Sequence, residues 1–236
     1  MNVPTLRVEV DRSGLAELSS SRIRERGTDV GEIVAVCMGP ESAQRVLTKA
    51  LALGADRAVL VTDAALAGSD IAGTAYVLAA AVGKQDAELV LLGQQAADAD
   101  CYVMAAAVAD HLRRPLVTQV ADLQLDGGTV RAKRQAEHGY DLIEAPLPAV
   151  VSVSDAINTP RLPSIKAIMG AKRKPLDTLS AGDLELDVAR VGGDGARSVV
   201  RSISPPPAKS EGLKIEDAGG DAAEKVVAFL NEKGLI

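Results

Sequence analysis

Two short stretches carry residue types at a spacing suited to holding an anion. Residues 93–104 read GQQAADADCYVM and follow the apolar run Leu89-Val90-Leu91-Leu92. A strand, a glycine, a polar loop and an alanine-rich helix often build a phosphate pocket, because the first N–H groups of a helix have no acceptor within it. Cys37-Met38-Gly39-Pro40 follows Ile33-Val34-Ala35-Val36 in the same manner. The candidate contacts are Cys37, Met38 and Gly39 in one turn, and Gly93, Gln94, Gln95, Ala96, Asp98, Asp100, Cys101, Tyr102, Val103 and Met104 in the other. An ordinary β–α turn with an acidic cap accounts for Asp100 equally well, and spacing alone leaves both readings open.

Little else suggests chemistry. The two histidines, His111 and His138, stand far apart, one late in a helical pattern and one in a turn, and read as surface residues. Cys37 and Cys101 form no C-x-x-C pair and read as small buried fillers. Metalloprotease, nucleophile-elbow and Walker A patterns are absent, and the carboxylates are scattered. Neither a catalytic residue nor a metal site is expected, which points to a binding or carrier role. The net charge of −6 argues against nucleic acid and anionic membranes as partners. No apolar run is long enough to span a bilayer, no signal peptide is visible at Met1, and the cysteine usage suits a reducing, cytoplasmic setting.

These turns need elements to hold them. Continuous apolar runs at residues 33–37, 58–61 and 89–92 predict strands covered on both faces. Each leads into a helical pattern. The first has Ala43, Val46, Leu47, Ala50 and Leu51 on one face and stops at Gly54. The second is capped by Ser69 or Asp70, with Ile71, Ala75, Leu78, Ala79 and Val82 turned inward. The third ends near Arg113. Repeated β–α units of this length predict a parallel sheet with right-handed crossovers. After Pro115 the period shortens: residues 117–125, 130–135 and 140–144 read as hairpin strands around Gly127-Gly128 and His138-Gly139, and Ala149–Val153 as a further buried strand. Leu6, Val8 and Val10 alternate as in a short strand, while residues 19–26 show no apolar face. From Asn158 onward no sheet pattern is evident. A basic segment gives way to a loop-rich arm, and Asp221 caps a last helix with Val226, Val227, Phe229 and Leu230, closed by Gly234. Such a helix cannot bury its own apolar face. The expected division is an α/β unit at residues 1–175 and an arm at residues 176–236 that packs on a partner.

Ile33-Val34-Ala35-Val36-Cys37-Met38-Gly39-Pro40, ALALGADRAVLV at residues 50–61, VLLGQQAADAD at 90–100 and PLPAVVSVSDAINTPRLPSIKAIMGAKRK at 146–174 together resemble, in the right order, the β subunit of electron transfer flavoprotein. The last block is the most specific. The resemblance implies a Rossmann-like domain with an added hairpin region, in a heterodimer with an α subunit that holds most of the FAD. It implies electron transfer from acyl-CoA or other dehydrogenases to a quinone oxidoreductase or another acceptor. It also implies an AMP, or in bifurcating relatives a second FAD, at the two turns above. A partner-recognition segment would fall at residues 160–169, with Ile165 as the apolar anchor among Arg161, Pro163, Lys166 and Met169, and the arm would wrap the partner subunit. The chain departs from the family pattern in several places. Val3-Pro4 stands as the remnant of an opening Val-Pro-Asp turn, and an Asn-Pro-(Phe/Tyr)-Asp-Glu motif is missing around residues 19–27. Residues 5–10 are expected to supply the opening strand, or the chain to be an incomplete or diverged copy. Tyr102-Val103-Met104-Ala105 replaces a small polar run such as Asn-Gln-Thr-Gly, removing side-chain donors for a phosphate, so AMP is expected to bind weakly or not at all. Gln135, His138 and Asp141 stand where acidic residues or glycine are usual. Two alternatives stay open: a stand-alone adenine-nucleotide-binding or sensor module, and a degenerate, ligand-free partner subunit.

Overall fold

The computed structural model describes residues 31–95, 101–159, 162–205, 214, 215, 217 and 219–236, together with the backbone of residues 6–9. The N-terminal polar stretch at residues 19–27 lies outside them. Among the described residues nine strands form one sheet: β1 (Leu6–Glu9), β2 (Ile33–Met38), β3 (Arg57–Val61), β4 (Leu89–Leu92), β5 (Leu116–Asp126), β6 (Thr129–Ala136), β7 (Gly139–Pro146), β8 (Ala149–Val153) and β9 (Leu176–Leu179). Their order is β7-β6-β5-β8-β4-β1-β2-β3-β9. The run from β5 to β9 is parallel, and β6 and β7 extend it as an antiparallel hairpin.

A central parallel strand must be apolar on both faces, and the alternation divides the core in two. Ile33, Ala35, Ala58, Leu60, Leu89 and Leu91 face one side, where helix α1 (Gln44–Leu53) packs through Leu47, Ala50 and Leu51. Val34, Val36, Val59, Val61, Val90 and Leu92 face the other, under α2 (Ile71–Gly83) and α3 (Met104–Leu112). The small core residues suit close helix–sheet packing: Ala75, Ala79 and Ala81 of α2 and Ala105 and Ala109 of α3 are buried. The sequence LGADRA turns the corner between α1 and β3. Gly54 ends the helix at φ 123°, Asp56 accepts the Ile33 N–H at 2.8 Å, and Arg57 pairs with Glu32 at 2.9 Å.

Several expectations need adjustment. The predicted alternating strand near residue 6 is present and occupies the centre of the sheet, between β2 and β4. Pro40 precedes a 3-10 turn, Glu41–Ala43, before α1 begins. Ile71, the first residue of α2, is exposed rather than turned inward, while Ala75, Leu78, Ala79 and Val82 are inside as expected. A strand does follow residue 158: β9 pairs with β3, burying part of Leu176 and Leu179 at an edge. One compact unit runs to Val199, and Val200–Ile236 forms a second. In that second unit, α5 (Ala222–Glu232) carries a Lys225–Asp221 ion pair at 2.7 Å and has no buried residue among those described. Asp221 stands at the N-cap as expected but makes no side-chain cap bond. No helix among the described residues is long and apolar enough to cross a membrane.

Candidate functional site

The sheet order reverses at β1: the chain proceeds outward through β2 and β3, then returns to place β4 on the other side. Open α/β sheets bind ligands beyond the carboxyl ends of their strands at such a reversal. Both predicted turns leave from there, one after β2 and one after β4. Each of those strands pairs with β1, so the turns stand roughly 10 Å apart at ordinary strand spacing.

The β2 turn is tightly built. Cys37, Met38 and Gly39 are half-buried, and the Gly39 N–H donates to the Val61 carbonyl at 3.0 Å, which continues the β2–β3 ladder past the strand. A Cβ on Gly39 would stand 3.0 Å from that of Ala43, so the residue must be small for the chain to enter α1. The β4 turn is described at residues 93–95 and from Cys101 onward. Gly93, Gln94, Gln95 and Cys101 are half-buried. Tyr102 and Val103 are 54% and 53% exposed, and Met104 packs on the core beneath α3. Ala96, Asp98 and Asp100 lie outside the described residues. Val103 occupies the N-cap of α3, and its apolar side chain offers no acceptor to the first N–H groups of the helix. These residues fit an anion through the backbone alone. Val103 and Met104 bring no side-chain donor, Tyr102 brings a single phenolic O–H on an exposed side chain, and the Gly39 N–H is already used.

At the neighbouring β3 junction the carboxylates are fully committed. Asp63 accepts from the Ala65 N–H at 2.9 Å and the Ala181 N–H at 3.1 Å. Asp70 accepts from the Gly73 N–H at 3.0 Å with one oxygen, and from the Arg197 and Ser198 N–H groups at 2.8 and 3.2 Å with the other. The Ala65 N–H, then that of Ala181, holds the Asp63 carboxyl below its ordinary range; the Gly73 N–H, with Arg197 and Ser198 adding, does the same for Asp70. Sequence reading found Asp70 as a cap and missed its hold on residues 197 and 198, which no local spacing reports. It also missed Asn158, beyond β8, whose Oδ1 is buried without a hydrogen-bond partner among the described residues.

The second predicted surface lies on α4 (Ile165–Ala171) and the residues before it. Ser164 caps the helix by accepting the Ala167 N–H at 3.2 Å. Leu162, Ile165, Ile168 and Met169 are 95%, 79%, 48% and 66% exposed, an apolar group on a surface otherwise rich in charge. Lys166 is exposed beside them, Pro163 is half-buried, and Arg161 lies outside the described residues. His111 and His138 are exposed, His138 within 3.2 Å of Asp141. Among the described residues no group of acidic, histidine or cysteine side chains could hold a metal.

Comparison with known proteins adds an independent observation. The family model of the electron transfer flavoprotein domain matches residues 19–184. The chain is 36% identical over 230 residues to an electron transfer flavoprotein subunit beta of Mycobacterium leprae, covering 97% of this chain and 86% of that protein. It is 34% identical over 204 residues to the subunit of that name in Clostridium acetobutylicum, covering 86% and 79%. It is also 34% identical over 207 residues to the caffeyl-CoA reductase-Etf complex subunit CarD of Acetobacterium woodii, covering 87% and 79%.

Proposed function

Because the chain belongs to the electron transfer flavoprotein family, alongside its β subunits, we propose that it is the β half of a heterodimer. That dimer carries electrons from acyl-CoA or other dehydrogenases to a quinone oxidoreductase or another acceptor. The FAD is held mainly by the α subunit and supplies the electron-carrying chemistry when bound. This chain is a carrier subunit rather than an enzyme, and its own residues bind and orient. The observation that carries this reading is the capped α4 helix presenting exposed Ile165, Ile168 and Met169. A small apolar patch with Lys166 beside it suits a weak contact that releases quickly, as a shuttle requires. The terminal helix α5, with no buried residue among those described, supports a second, permanent surface for the α subunit.

The β4 turn supports a site inherited in backbone shape and altered in side chains, with AMP bound weakly or not at all. The test is coexpression with an electron transfer flavoprotein α subunit, followed by a visible spectrum and identification of nucleotides released on denaturation. A yellow heterodimer with far less than stoichiometric AMP is expected. A colourless monomer in the presence of the α subunit would refute the assignment, and stoichiometric AMP would refute the altered site. The α3 N-cap at Val103, which offers neither a cap nor a side-chain donor, favours one second reading, a ligand-free partner subunit. A heterodimer without any flavin would select it.

A further inference from the structure

The helix α4 is weakly anchored for a recognition element. Ala171 is its one buried residue among those described, and Ala167 is half-buried. One buried methyl group secures little apolar area. The helix packs against α1, and the segment that follows it reaches back to α1 through Lys174. The Lys174 Nζ donates to the Leu51 carbonyl at 3.0 Å and to the Ala55 carbonyl at 2.6 Å. Leu51 lies in the last turn of α1, and Ala55 follows the Gly54 that ends it. The carboxyl end of a helix carries partial negative charge and favours a cation. Lys174 is itself half-buried, and two turn hydrogen bonds, Arg173 N–H to Gly170 and Lys174 N–H to Ala171, fix its distance from the end of α4. Beyond it, Pro175 accepts the Ala58 N–H and the chain enters β9.

We propose that Lys174 is a positioning residue: its ammonium, bridging two carbonyls at the end of α1, sets the angle at which α4 presents Ile165, Ile168 and Met169 to a partner protein. The inference rests on the reading of α4 as the recognition surface. It assigns to Lys174 no contact with that partner. Its role needs a donor that reaches both carbonyls, so arginine should serve in part and methionine, of similar length, should not.

The test uses the coexpressed, flavin-containing heterodimer with an acyl-CoA dehydrogenase as electron donor, in K174M, K174R and I165D forms. With K174M, the KM for the flavoprotein should rise about tenfold while kcat and the flavin spectrum stay unchanged, since charge-assisted bonds order the helix and take no part in electron transfer. K174R should recover part of the loss. Hydrogen exchange at the α4 amides should quicken about tenfold in K174M in the absence of any dehydrogenase. If I165D raises KM and K174M does not, the positioning role is overturned and the recognition surface stands. If I165D has no effect, the recognition surface falls and the inference with it. K174Q carries the same expectations if K174M fails to accumulate, and unchanged α4 exchange in either variant overturns the proposal.

Discussion

The junctions β3–α2 and β4–α3 leave the same edge of the sheet, and both deliver alanine-rich helices to the same face. At the first, every carboxylate oxygen of Asp63 and Asp70 accepts a backbone N–H, and the segment 180–198 is drawn across the helix start by these bonds. At the second, the N-cap is Val103, whose apolar side chain offers no acceptor, and no side-chain cap bond is present among the described residues. One junction spends its polar groups on holding the chain, and the other shows no such hold among its described residues. The polar-rich junction is therefore structural. On the proposed reading the other is where a ligand would meet backbone N–H groups, and strength of sequence signal does not distinguish them.

The comparison breaks most readily at Gly192. This residue has φ 68°, and its N–H donates to Ser69 Oγ at 2.7 Å. A Cβ there would collide with the Ala65 carbonyl oxygen. Gly192→Val should cost about 3 kcal/mol, from left-handed backbone and overlap together, read as a lowered urea midpoint. An unchanged midpoint would mean that the β3 junction is not closed by the 180–198 segment.

Asp70→Ala should cost about 2 kcal/mol, the upper end for a helix cap, because the same carboxylate also holds Arg197 and Ser198. The acid dependence has a defined sign. The folded-state pKa of Asp70 is depressed, so its contribution is complete above the ordinary value near 4 and is lost as pH falls through the lower folded value. Asp63 and Asp183 shift the same way, Asp183 through the Ser180 hydroxyl first and then its N–H. Thermal melts should fall steeply below about pH 4, and Asp70→Asn should flatten that fall. A slope indifferent to the substitution would remove Asp70 from the account.

Much of this was legible beforehand, because a doubly covered strand must be apolar at every position. The runs at β2, β3, β4 and β8 met that demand and marked the turns that follow them. The hairpin was readable from Gly127-Gly128 and its alternation. The segment from β9 to Val199 was not. An edge strand buries only Leu176 and Leu179 in part, and the residues after it are held by side chains more than a hundred positions earlier: Asp63, Ser69, Asp70 and Tyr76. Lys174 was hidden for the same reason, since its carbonyl partners carry no side-chain signature.

The open junction can be sharpened by giving it back what it lacks. Tyr102 and Val103 are half exposed, so Tyr102→Asn with Val103→Gln should fold without loss. If the backbone of the turn is intact, these donors should tighten AMP about tenfold, within the range of one or two added hydrogen bonds. Nucleotide released from the denatured heterodimer would then approach stoichiometry. No increase would show that the turn has lost its backbone geometry as well as its side chains.

The smallest effect separates two ways in which the closed junction is held. Tyr76 of α2 accepts the Asp187 N–H at 3.2 Å, and the Arg190 guanidinium lies 4.0 Å above its ring. The ring also stands 5.7 Å from that of His111 on α3, tilted by 49°. Tyr76→Phe removes the oxygen and keeps the ring. The freed N–H of exposed Asp187 can turn to water, so the cost should stay near 0.5 kcal/mol. Tyr76→Leu removes the aromatic face as well and should add about 0.5–1 kcal/mol for the lost guanidinium contact. Equal urea midpoints for the two variants would mean that the ring contributes nothing beyond its bulk. The segment 180–198 would then be held by the bonds to Asp63, Ser69 and Asp70, by the Gly193 N–H to the Ala67 carbonyl and the Lys84 ammonium to the Asp183 carbonyl, and by its buried apolar residues, and the contrast with α3 would rest on these rather than on the ring.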